Sequence, residues 1–525
     1  MRRPLWIPTE AKAEEKMAAE RAPERAARAG DDATTCTGDY GMARTGDYRM
    51  APTGDYRTAH IGDDGTAADD RRAPARLPVA VIGAGPVGLV AAAHLVARGE
   101  VPVVFEAGAA VGWNIREWAH VRLFSPWKYL TDPVSRTLLE RAGWTSPDPD
   151  ALPTGGELVE RFLEPLAELP EIAPCVRLER RVVAVARRGL DKMKTPGRDG
   201  APFELVARAR DGAEERVLAR AVIDASGTWT APNPIGANGL AVPGEHELAA
   251  RIRYGIPDVL GRERARYAGR RVLVVGSGHS AFNVLLDLAE LRARAHAGAA
   301  DLVWAVRRAD VRQLYGGGER DQLEARGALG ERLRRLVEDG EVRCEAGFRA
   351  VRVERAGDGV VVYDEGGRAI GPVDEIVVAT GFRPDLSITR ELRLRLDDAL
   401  ECPVALAPLI DPNLHSCGTV SPHGFRELSH PERDFYTVGM KSYGRAPTFL
   451  LLTGYEQVRS VVCALTGDLE GARNVELVLP ETGVCATDLG GSACCDAGAA
   501  PRLVGLGAAA SGAVHGDAGG GACCA

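Results

Sequence analysis

Two glycine turns of near-identical spacing, each between a short apolar run and a helical stretch, predict an α/β chain built from two βαβ units. Long flanks without apolar periodicity predict that disordered tails stand at both ends.

The 525 residues allow roughly two to four domains. A net charge of −8 argues against a nucleic-acid partner, which usually meets a basic face. No apolar run approaches the roughly 20 residues of a membrane span. The N-terminus lacks the apolar stretch of a secretory signal. The expectation is a cytoplasmic protein with neither membrane nor nucleic acid as partner. The eleven cysteines show no even spacing, and several form adjacent pairs near the C-terminus, unlike a secreted disulfide scaffold.

Residues 1–75 are rich in Ala, Arg, Glu and Asp and carry an octad repeat, TGDYGMAR, TGDYRMAP, TGDYRTAH and a decayed IGDDGTAA. This period is too short for a solenoid unit, so the segment reads as a solvated extension. Ordered structure is expected from residue 77. A strand at 79–82 leads through glycines into an Ala-rich helix at 86–98, which Gly99 stops. A strand at 101–105 completes the unit. Then come an irregular Trp-rich stretch (113–130), a helix (157–169), a strand (181–185) and a hairpin with arms at 203–210 and 216–225. A Pro/Gly/Asn-rich link spans 231–244. The second unit has strands at 272–275 and 302–306 around a helix at 280–295. Strands at 375–379 and 435–438 and a helix at 448–465 follow, and after residue 479 Gly, Ala, Cys and Asp dominate.

Gly83-Ala-Gly85-Pro-Val-Gly88 has the spacing G-x-G-x-x-G between strand and helix. Gly83 permits the turn, Gly85 lets backbone approach a pyrophosphate, and Gly88 lets the helix pack on the strand. The pyrophosphate then meets the helix N-terminus, where free N–H groups and the dipole favour an anion. Glu106 ends the second strand 18 residues after Gly88, placed to accept ribose hydroxyls.

Gly276-Ser-Gly278-His-Ser-Ala281 repeats the pattern with Ala in the third position. Its second strand ends in Arg307-Arg308 where the first unit has an acid. Guanidinium suits a 2′-phosphate and binds it bidentately, so this unit is expected to take NADPH rather than NADH.

Two dinucleotide folds, the first with an acid and the second with arginines, resemble the two-domain flavoprotein oxidoreductases. Val222-Ile-Asp-Ala-Ser-Gly227-Thr and Ile376-Val-Val-Ala-Thr-Gly381-Phe resemble that group's crossings between domains. Trp229-Thr-Ala-Pro-Asn-Pro resembles the segment after the first crossing in flavin-containing monooxygenases, and Asp434-Phe-Tyr-Thr-Val-Gly439 resembles the strand closing the flavin site. The likeness spans residues 77–471 and lacks the monooxygenase fingerprint F-x-G-x-x-x-H between the glycine motifs. It implies a Rossmann-like FAD domain in two parts (76–235 and 379–475), an inserted NADPH domain (236–378) and a flexible tail (476–525). It also implies cofactor contacts from Pro86, Val87, Trp127, Val183, Ala225, Ser226, Gly227, His279, Ser280, Thr380, Gly381 and Gly439.

Thioredoxin-reductase-like enzymes share this architecture but need a Cys-x-x-Cys beside the flavin, and the chain has none. Oxygen chemistry is therefore favoured: NADPH reduces the flavin, which uses O₂ to oxygenate a small soft nucleophile. No general acid or base stands out. Trp113, Trp118, Ser125 and Trp127 are the pocket candidates. His415, Cys417, His423 and His430 lie among turn residues and read as a structured loop rather than a zinc site. Cys494-Cys495, with Cys485 and Cys523-Cys524, could chelate a thiophilic ion. With this Cys-rich end the pattern resembles actinobacterial flavoproteins associated with arsenic resistance, implying an arsenical substrate. A disulfide or electron-transfer reductase using the tail cysteines and a redox sensor without turnover are the competing readings.

Overall fold

A computed structural model describes residues 77–295, 301–316, 323–414, 423–447 and 449–475. The octad repeat and the tail cysteines lie outside these residues.

β1 (Val79–Ile82), β2 (Pro102–Phe105) and β7 (Ala221–Asp224) are buried along their whole length. Strands covered on both faces read as unbroken apolar runs, and this sheet is parallel. With β3 (Val176–Arg177) and β16 (Phe435–Thr437) the order is β16-β7-β1-β2-β3. The helix Pro86–Ala97 starts on a proline, and Gly99 takes φ +73° just past its end. This helix is buried from Val87 to Leu95 because the helix Leu451–Leu465 covers it away from the sheet.

The second parallel sheet has the order β11-β10-β9-β15-β8, formed by β8 (Ile252–Tyr254), β9 (Val272–Val275), β10 (Leu302–Ala305), β11 (Arg343–Glu345) and β15 (Glu375–Val378). All five strands fall between β7 and β16 in the chain. The α/β class and the insertion of one Rossmann-like fold into the other are both observed.

Three local readings change. The second hairpin arm is two strands: β6 (Glu214–Ala219) pairs with β5 (Phe203–Ala209), while β7 joins the parallel sheet after Arg220, whose N–H donates to the Pro78 carbonyl. The helix expected at 157–169 starts at Gly155 behind a Thr154–Glu157 capping box and contains a π turn at Val159–Leu163. An antiparallel sheet missing from the sequence reading is formed by β12 (Ala350–Ala356), β13 (Gly359–Asp364) and β14 (Ala369–Val373).

β4 (Arg180–Arg187) pairs with β5 and is tied to the chain's return by a buried triad. Arg187 Nε and Arg198 Nη2 each donate to Glu432 at 2.7 Å, and all three side chains are buried. Burial alone would push the Glu432 carboxyl up; the Arg198 and Arg187 hydrogen bonds outweigh it and hold the carboxyl below its ordinary value.

Candidate active site

The glycines divide into two kinds. A Cβ on Gly83, at φ +98°, would stand 2.8 Å from the Ala225 carbonyl oxygen. One on Gly88 would stand 1.9 Å from the Gly83 oxygen, so the helix nears β1 only without a side chain. In the second unit, a Cβ on Gly276 (φ +137°) would come within 2.2 Å of the Ala379 oxygen. Each turn thus rests on a crossing strand, which explains the small residues there. Gly85 and Gly278 differ: nothing lies within 4 Å of where their Cβ would be. Both line one cavity of about 1150 Å³ that runs from the first motif to the second. The protein's own packing does not demand glycine at either position, and the open space fits a pyrophosphate. No side chain caps the helix at Gly85, so its first-turn N–H groups remain available to an anion.

Glu106 is buried at the end of β2. Its Oε2 accepts from Ala84 N–H at 2.9 Å and its Oε1 from Gly108 N–H at 2.8 Å. Each oxygen keeps a second lone pair, so the carboxylate is oriented yet can still accept a ribose hydroxyl.

Gly83, Gly85, Pro86, Val87, Glu106, Ala225, Ser226, Gly227 and Gly439 all line the cavity. So do Gly276, Gly278, His279, Ser280, Arg307, Arg308, Thr380 and Gly381. Gly88 serves helix packing instead. Two expected contacts do not reach the cavity. Trp127 is 2 % exposed within the core, with the Arg161 guanidinium over its ring. Val183 sits at a bulge between Val182 and Ala184, which breaks the alternation of β4, so Val182 and Val185 turn inward and Val182 lines the cavity. Of the other pocket candidates, Trp113 and Trp118 line the cavity and Ser125 is buried away from it. Cys494 and Cys495, like His415 and Cys417, lie outside the described residues. His423 pairs with Gln457 at 3.0 Å, whereas His430 Nδ1 accepts from Arg395 N–H, and burial pushes its pKa down to about 4.

The sequence reading missed a buried ionic group on the cavity floor. Lys441 Nζ lies 2.7 Å from Asp224 Oδ2, with side chains 2 % and 0 % exposed. Ser226 donates to Asp224 through N–H (3.1 Å) and Oγ (2.6 Å), and Lys441 also donates to Ser226 Oγ. The signal was present: Asp224 is an acid closing an otherwise apolar strand that is buried throughout. Beside this group, Gln457 accepts from Gly439 N–H at 2.8 Å and donates to Ser442 Oγ at 2.9 Å.

Where the crossings meet, the wall is aromatic. Trp229 stacks on Phe382 with centroids 4.6 Å apart, and Trp118 lies 6.4 Å from Trp229. The described cysteines, Cys175, Cys344, Cys402 and Cys463, are free and none lines the cavity. Burial raises the thiols of Cys344 and Cys402 to about 11 and about 12. No described helix is long and apolar enough to cross a membrane.

Residues 211–405 match the family model of pyridine nucleotide-disulphide oxidoreductases, and residues 81–132 match that of NAD(P)-binding Rossmann-like domains. The chain is 27% identical over 243 residues to a flavin-containing monooxygenase of Arabidopsis thaliana (FMO GS-OX-like 2), covering 42% of this chain and 48% of that relative. It thus spans about half the length of the curated relative it matches. Among solved structures it resembles a bacillithiol disulfide reductase from Bacillus cereus (TM-score 0.56, 18% identity, 75% of this chain and 99% of that one). It also resembles an FAD-bound cadaverine monooxygenase from Erwinia amylovora (TM-score 0.54, 13% identity, 79% and 100%). The structures bear on the fold alone. The family models and the curated relative agree with it on one class, an NAD(P)-dependent flavin oxidoreductase with FAD- and NAD(P)-binding folds.

Proposed function

We propose that this protein is an FAD- and NADPH-dependent monooxygenase that oxygenates a small soft nucleophile. The observation that carries this reading is the aromatic wall of Trp118, Trp229 and Phe382 where the two glycine-motif halves of the cavity meet. Such a wall excludes water and gives an uncharged substrate apolar surface. The described thiols stand away from it, with Cys344 and Cys402 held protonated by burial, which supports oxygen chemistry over disulfide reduction. Bound flavin would supply two-electron redox chemistry and the activation of O₂. The chain would hold FAD at Gly83, Gly85 and Glu106, and NADPH at Gly276, Gly278, Arg307 and Arg308. The reading places the enzyme in the cytoplasm. The purified protein should be yellow and should consume NADPH and O₂ together once a substrate is added. NADPH oxidation that requires a disulfide acceptor would overturn the proposal, and bound cofactor without turnover would favour a sensor. An arsenical is the finer substrate reading and rests on Cys494 and Cys495. The same assay with arsenite, run on the enzyme and on its Cys494→Ser/Cys495→Ser variant, tests it; equal activity would remove the tail.

NADPH preference has its own test. Arg307 Nη1 donates to the Ala237 carbonyl at 3.0 Å, and a guanidinium has further N–H groups for phosphate. Replacing Arg307 and Arg308 with Ala is expected to raise KM for NADPH and leave that for NADH little changed. Each lost phosphate contact costs about 1.5–3 kcal/mol, or roughly tenfold or more in affinity. Equal losses for both coenzymes would show the pair to be structural.

A further inference from the structure

The chain leaves the first fold through residues 228–234 and returns through 379–383, and these crossings are bound to each other. Asn233 N–H donates to the Gly381 carbonyl and Arg383 N–H to the Ala231 carbonyl, both at 2.9 Å, with Pro232 bridged to Phe382. The Asn233 side chain engages the returning segment twice: Nδ2 donates to the Thr380 carbonyl at 3.1 Å, and Oδ1 accepts from Arg383 Nε at 2.9 Å. Thr380 Oγ1 donates back to the Asn233 carbonyl at 2.8 Å. Arg383 Nη2 reaches on to the Gly239 carbonyl at 2.9 Å. Asn233, Thr380 and Phe382 all line the cavity.

An amide is needed here for a chemical reason. It offers a donor and an acceptor at the end of one short side chain, whereas an ionised Asp has no donor and a leucine has neither. The bonds lie where a change in angle between the two folds would have to be absorbed, because both connections pass through this point.

We propose that Asn233 is a positioning residue, which fixes the separation of the two folds so that the nicotinamide reaches the flavin at transfer distance. This rests on the reading of an NADPH-reduced flavoprotein. In the step served, hydride transfer moves two electrons and one proton from NADPH to oxidised flavin and leaves NADP⁺ and reduced flavin. Asn233 touches neither electron nor proton; it acts through Thr380, Gly381 and Arg383.

The test mixes the FAD-loaded enzyme and its Asn233→Ala variant with NADPH without oxygen and follows the loss of flavin absorbance. A displacement of about 1 Å can slow a reaction about 100-fold, and a loss of that order is expected in the limiting rate. FAD content and the NADPH concentration giving half the limiting rate should change little. Hydrogen exchange is the readout independent of turnover: peptides covering 228–239 and 379–384 should exchange faster in the variant, and those covering β1 and the helix Pro86–Ala97 should not. Asn233→Asp, which keeps the acceptor for Arg383, should fall between wild type and Ala. If Asn233→Ala does not fold with FAD, Arg383→Leu carries the test with the same expectations. Wild-type reduction rate in the variant used, or slower reduction with unchanged exchange, would overturn the inference. A wild-type enzyme whose flavin NADPH does not bleach overturns the underlying cofactor reading, and the inference with it.

Discussion

The Gly85→Val enzyme is expected to purify folded and colourless. Gly85 has φ −81° and ψ −172°, extended backbone open to any residue, and its Cβ would meet nothing within 4 Å. Folding therefore gains no clash, and the added side chain enters the space reserved for pyrophosphate. An overlap costing about 4 kcal/mol would weaken binding about a thousandfold. Gly88→Ala is the contrasting control. Its methyl would stand 1.9 Å from the Gly83 oxygen, so this smaller change should damage the fold itself. Flavin absorbance per protein and the melting curve separate the two. Stoichiometric FAD in Gly85→Val would show that the first motif does not hold the flavin.

The second large effect is expected at Lys441. Lys441→Met leaves Asp224 fully buried beside Ser226 without its cation. Removing one partner of a buried pair typically costs about 3–5 kcal/mol, whereas replacing both is far better tolerated. Asp224→Asn added to Lys441→Met keeps an acceptor for Ser226 and removes the stranded charge, so the double variant should regain most of the loss. Denaturant midpoints of the single and double variants give the coupling. Additive single effects would mean that the pair holds nothing together.

The two glycine motifs were legible because their logic is local: turn, close approach and helix packing are set within a few residues. The crossings were legible through the small residues beside Gly83 and Gly276. What escaped depends on partners far along the chain. Asn233 stood in the sequence only as part of the Pro/Gly/Asn-rich link, and its bonds appear only beside Thr380 and Arg383. Lys441 gains its meaning from Asp224 on another strand. Val183, given only by the family resemblance, stands off the cavity because one bulge in β4 shifts the phase of the strand, which the sequence does not mark. Trp127 was misplaced because an irregular stretch has no period to tell core from cleft. The β12–β14 sheet shows two glycine turns, at Gly357 and Gly367, and a Val run at 360–362, but register shifts in both pairings break the alternation that would have marked its strands.

The clasp between the crossings also bears on how the chain folds. β7 ends at Asp224, and its parallel neighbour β16 begins only at Phe435. Joining two strands so far apart in a disordered chain carries a loop-closure entropy that grows with the logarithm of the intervening length. Once the inserted fold has formed, its entrance and exit lie a single hydrogen bond apart, at Asn233 and Gly381. The effective loop then shrinks from 225–434 to the two segments flanking the insert, 225–232 and 382–434. The inserted fold thus acts as a folding staple for its host. β16 and the helix Leu451–Leu465, which synthesis delivers after the insert, complete the sheet at its β7 edge and cover the helix Pro86–Ala97.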